Sequence, residues 1–176
     1  MTRTAYEAQP RDELLDGIAE EFLHHARHGR RLIAVDGAAT VDTARFADDL
    51  SAALARRGQR VVRASVGRAD ETGGADETSG HHRIDEASLR TEVVEPFRAG
   101  TMPGASDDSV LVVDGRGLLD DPVRGIWHFS LWLMSGDELP HSGASVIVDV
   151  TDDAAPSRFF YDYCALPPSV NRPGLR

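Results

Sequence analysis

Three aspartates stand at the ends of apolar runs in this chain. Asp36 closes the run Arg31 to Asp36, Asp114 closes Ser109 to Asp114, and Asp149 lies at the end of Ser145 to Val150. In an open parallel sheet, ligands bind beyond the carboxyl ends of the strands. Carboxylates gathered on that rim could hold a metal or move a proton. Aspartates at such positions also cap helices and close turns, which is their ordinary work. His81 and His82 follow an acidic stretch and could swing over the same rim as acid or base; loop polarity accounts for them equally. His24 and His28 have the i, i+4 spacing that can grip zinc,. No cysteine is near them, a polar helix face explains them as well, and no metal is expected. The single cysteine, Cys164, sits among aromatics in Phe159 to Cys164. That stretch reads as a packed tail or a docking surface, not as a nucleophile with a partner base.

The segment from Gly37 to Ala44 joins a strand to a helix, where a phosphate-binding loop would lie. Such a loop needs glycines for a nest of amides, a lysine for the terminal phosphates and a hydroxyl for magnesium. Counting from Gly37, the second glycine position holds Asp42, the lysine position Thr43 and the hydroxyl position Ala44. The first two changes together move the local charge by −2. A carboxylate about 5 Å from a phosphate charge costs on the order of 3 kcal/mol at an effective dielectric near 20. Gly37, Ala38, Thr40, Asp42 and Thr43 therefore read as the remnant of a phosphate loop. Asp42 is placed to cap the following helix itself.

The elements that would position these residues alternate. Residues 12–28 carry Leu14, Leu15, Ile18, Phe22 and Leu23 on one helical stripe, and Gly29 stops it,. A buried strand follows over 31–36, then a helix over 43–57 and a second strand over 60–66. A strand–helix–strand order without hairpin turns implies a parallel sheet with right-handed crossovers. Residues 67–83 form an acidic near-repeat, expected as a mobile loop. A third helix is expected over 85–98. The strand 109–114 is the most apolar and should be central. A short turn over 121–126 and strands over 129–134 and 145–150 follow. Residues 154–176, rich in proline, read as a surface tail.

The chain has 176 residues, which suits one domain over 1–176 with a real core,. Its formal net charge is −10, from 29 acidic against 19 basic side chains. That field repels nucleic-acid backbones and anionic membranes, so neither is an expected partner. A lone cysteine permits no internal disulfide and fits a reducing cytoplasm. Met1 to Pro10 lacks the apolar core of a signal peptide. No apolar run approaches the length of a membrane span.

In order and spacing the chain resembles the P-loop uridine kinases, particularly the actinobacterial uridine kinase-like proteins. The resemblance runs through Arg11 to Leu15, Arg31 to Gly37, Phe46 to Leu50, Arg60 to Ser65, Val94 to Arg98, Val110 to Gly115, Trp127 to Leu133 and Val148 to Asp152. It implies an α/β, three-layer, P-loop NTPase-like fold with a mostly parallel five-stranded sheet flanked by helices. The departures matter more. The family places a catalytic aspartate just after the second strand, where this chain has Gly67. It carries an arginine-rich lid between the fourth and fifth strands, where Ser135 to Gly143 holds no arginine. Phosphoryl transfer depends on positioning and charge neutralisation, so losing clamp, base and lid together should abolish it.

Three readings follow. The first is a pseudokinase scaffold that binds a small molecule in the old nucleoside cleft, or a protein partner. A homo-oligomer is compatible with it, and no cofactor is expected. The second is a repurposed enzyme using Asp36, Asp114 and Asp149, with His81 or His82. The third is a residual nucleoside or small-molecule kinase that uses ATP and magnesium. Because the chain contains no lysine, Arg45, Arg68 or Arg116 would have to serve there.

Overall fold

The computed structural model describes residues 8–66 and 85–159. Helix α1 (Arg11–His25) buries Leu14, Leu15, Ile18, Ala19 and Phe22, the stripe expected from their spacing. It ends at His25, before Gly29, so His28 lies beyond the helix and does not share a helical face with His24. His28 Nδ1 instead faces Asp108 at 3.6 Å. Strand β1 (Arg30–Gly37) is buried from Arg31 onward. Helix α2 (Thr43–Arg56) is capped by Asp42, whose side chain accepts from the Arg45 amide at 2.9 Å. Strand β2 (Val61–Val66) follows.

The third helical region is less regular than its sequence suggests. It comprises α3 (Glu86–Ser88), a π-wound turn (Leu89–Val94) and α4 (Glu95–Ala99). Pro96 supplies the reason. It has no N–H for the carbonyl one turn earlier, and its ring crowds that carbonyl. The wider i→i+5 winding moves the two apart, and the Glu95 N–H reaches the Arg90 carbonyl,. Gly100 ends α4 with φ 76°, a conformation that suits glycine,.

Strand β3 (Ser109–Gly115) is buried at every position. A 3₁₀ turn (Arg124–Ile126) leads to β4 (Phe129–Met134), then β5 (Val146–Asp149) and β6 (Ser157–Phe159). The sheet order is β2-β3-β1-β4-β5-β6. The first five strands are mutually parallel, and β6 runs antiparallel to β5. The sheet thus has six strands, not five. The sixth comes from the segment expected to be a surface tail. Three residues are too few to show alternation. The strand is held by its pairing with β5 and by Arg158, which bonds Glu21 on α1 at 2.5 Å.

Two cores lie on the two faces of the sheet. Ile33, Val35, Val110 and Val112 pack with α1 and α2. Leu32, Ala34, Leu111 and Val113 pack with Leu89, Val94, Phe97, Leu118 and Leu119. Adjacent residues alternate between these clusters, as a pleated strand buried on both faces requires. At the amino end of β1, Arg31 is only 2% exposed. It donates to the carbonyls of Ala26, Arg27 and Gly29 and to Gln59 and Asp108, closing the end of α1 onto the sheet.

Candidate functional site

β1 lies between β3 and β4, so the chain leaves the sheet centre in opposite directions after β1 and after β3. Such a switch point opens a crevice at the carboxyl end of β1. Asp36 sits there, 2% exposed. One of its oxygens accepts the Gly37 amide at 2.7 Å and the other the Leu119 amide at 3.1 Å. It therefore ties the loop after β1 to the loop after β3. Burial pushes its carboxyl up to about 6, against the pull of those two amides and of Arg116,.

The loop after β1 backs tightly onto β4. A Cβ on Gly37 would meet the Leu133 carbonyl oxygen and Val41 Cγ2, each at 2.7 Å. The Ala38 N–H donates to the Leu133 carbonyl at 2.9 Å. In a trans peptide the C=O points opposite the N–H. Turning Ala38 N–H outward to β4 therefore turns the Gly37 carbonyl into the loop. The guanidinium of Arg116 fills that interior. Nη1 donates to Gly37 O at 2.5 Å and to Ala38 O, while Nη2 donates to Val41 O at 2.7 Å and Ala39 O at 3.3 Å. An anion nest gathers amides; this loop gathers carbonyls around a cation. Thr40 Oγ1 donates to Glu138 Oε1 at 2.9 Å, and Glu138 Oε2 accepts the Ser135 amide at 2.9 Å. The connector after β4 is thereby docked on the same loop.

The three strand-end aspartates do not form one cluster. Asp114 shares the face of Val110 and Val112, whereas Asp36 shares that of Leu32 and Ala34, so they point to opposite sides of the sheet,. Asp114 pairs with Arg63 at 2.8 Å and accepts from Ser65 at 2.7 Å. Asp149 lies two strands from β1, opposite Met134, and accepts from the Thr151 amide and hydroxyl at 2.9 and 2.5 Å. Arg45 pairs with Asp153 at 2.9 Å, and Asp153 also bonds Arg11. His81, His82, Gly67, Arg68 and Cys164 lie outside the described residues, as does the 67–83 loop. Among the described residues no group of three His, Cys, Asp or Glu is arranged to hold a metal. Sequence reading named Arg116 only as a stand-in for lysine and did not find Glu138 or Arg63. Each has a partner far along the chain, 79 residues away for Arg116, 98 for Glu138 and 51 for Arg63, and no local pattern marks them.

A shallow cavity of about 230 Å³ opens beside the end of β2. Ser65 and Val66 line one side and Asp85, Ser88, Leu89, Glu92 and Val93 the other. The π-wound turn thus forms one of its walls, and such turns often border functional sites.

With this geometry, the class the fold defines is a mixed α/β fold with a mostly parallel six-stranded sheet, which solved kinase structures share. The chain superposes on a possible uridine kinase from Bacillus stearothermophilus with a TM-score of 0.55 and 18% identity, covering 73% of this chain and 81% of that one. It superposes on a proposed fructose transport system kinase from Silicibacter sp. with a TM-score of 0.51 and 20% identity, covering 77% of each. No protein-family model matches the chain, and no curated protein matches it. Among the described residues no helix is long and apolar enough to cross a membrane.

Proposed function

We propose that this chain is a uridine kinase-like scaffold that does not transfer phosphate and instead binds a small molecule or a protein partner. One observation carries the reading: the loop after β1 presents carbonyls, filled by Arg116, where a phosphate cradle would present amides. A phosphate placed there would meet oxygen dipoles, the Asp42 carboxylate and no lysine, and the terminal nitrogens of Arg116 are already engaged by loop carbonyls,. The cavity beside β2 offers a place for a small ligand, and the single-cysteine composition agrees with a cytoplasmic setting,. Calorimetric titration with Mg-ATP, and separately with uridine, cytidine and fructose, tests the reading. Heat from a nucleoside or sugar with none from Mg-ATP supports a binding cleft. Saturable, magnesium-dependent ATP binding would overturn the proposal and restore the residual-kinase reading.

A second reading has its own support. Burial raises the Asp36 carboxyl to about 6, and groups tuned in this way gather at catalytic sites. A repurposed enzyme would use Asp36 as its acid or base. Loss of a cellular phenotype on Asp36→Asn, with the fold retained, would favour it over the binding scaffold. An unchanged phenotype would remove it.

A further inference from the structure

We infer that the loop after β1 is a guanidinium-binding site, with Arg116 as its occupant in cis. The inference rests on the same inverted loop as the proposed function, but it assigns what the loop holds rather than what it rejects. Four backbone carbonyls, from Gly37, Ala38, Ala39 and Val41, take both terminal nitrogens of one planar fork. A guanidinium presents five donors in fixed directions, whereas an ammonium presents three around a point. Receptors spread over four residues suit the fork. The charge environment agrees: the Asp36 carboxyl lies close enough for Arg116 to act on it.

The inward carbonyls do not depend on Arg116 alone. The Ala38 N–H is held outward by Leu133, which fixes the Gly37 carbonyl, and Thr40 is anchored by Glu138. β4 and the connector therefore brace the loop from outside. Removing the arginine side chain should leave a receptor rather than a collapsed loop. Its occupancy latches the segment after β3 to the loop after β1, which closes the switch-point crevice from within.

The test is chemical rescue in the full chain. Arg116→Ala is titrated with methylguanidinium, using methylammonium and sodium chloride at equal ionic strength as controls and wild type as the reference. Folding is followed by urea melts and binding by the amide signals of residues 37–41. Methylguanidinium should shift the folding equilibrium of the variant about tenfold at ten times its dissociation constant. It should move those amides, while wild type shows neither effect. Should the variant fail to fold, Arg116→Lys decides. It should fold with stability between the two, because an ammonium reaches fewer of the carbonyls. Rescue by methylammonium equal to that by methylguanidinium, no rescue beyond the salt control, or full stability in Arg116→Lys would overturn the inference. Mg-ATP binding by wild type would sink the proposed function yet leave the rescue result to stand or fall alone.

Discussion

Asp36 should make this protein less stable as pH rises, and Asp36→Asn should remove that slope. The carboxyl is 2% exposed, and burial pushes it from an ordinary 3.8 to about 6. Between those values the folded chain holds a proton that the unfolded chain has released. Folding is therefore favoured most below the unfolded value and loses this contribution as pH climbs through 6. A rise of about 2, at about 1.4 kcal/mol per pH unit, gives a loss on the order of 3 kcal/mol, complete above pH 6,. The assay is urea unfolding of both proteins at pH 4, 5, 6 and 7, with the difference between their stabilities plotted against pH. Other carboxylates titrate in the same window, and the difference cancels them. Asparagine keeps one acceptor for the two amides at Gly37 and Leu119, which adds a penalty that does not vary with pH. The expected difference curve changes by about 2–3 kcal/mol from pH 4 to pH 7 and is flat above that. Parallel curves would refute the reasoning, because Asp36 would then titrate alike folded and unfolded.

Three further outcomes are expected. Arg31→Ala should cost about 2–4 kcal/mol in urea melts, since it strips donors from three carbonyls and an amide oxygen at a buried site,; a loss below about 0.5 kcal/mol would mean that water replaces it freely. Gly37→Ala should cost about 2 kcal/mol or more, because its Cβ meets a backbone oxygen and a buried valine at 2.7 Å and neither yields cheaply,; near-wild-type stability would show that β4 gives way. Thr40→Val should cost under about 1 kcal/mol, as an exposed bond does,; it should nevertheless speed hydrogen exchange at Ser135, and unchanged exchange there would rule out docking of the connector through Thr40.

Much of the scaffold was legible in residue patterns. The strand from Phe129 to Met134 and the start of the helix at Thr43 fall where spacing placed them. Asp42 caps α2 as its position just ahead of that helix indicated. These are local matters: apolar period and a capping carboxylate act within a few residues of one another. The order of strands after β1, the winding at Pro96 and the strand at Ser157 were less accessible. Each depends on a partner far along the chain or on a strand too short to show a period.

The sequence by itself determined that this chain is acidic and patterned for an α/β fold with a parallel sheet, and that Asp42, Thr43 and Ala44 stand between its first strand and the helix that follows. Tertiary structure alone decided what those residues do. Pleating sends Asp36 and Asp114 to opposite faces, and packing beside β4 turns the Ala38 amide outward. The segment after β3 then brings Arg116 across 75 to 79 positions of sequence to the carbonyls that remain. Composition counts a loop's missing groups, but only the packing around the loop sets which way its peptides face.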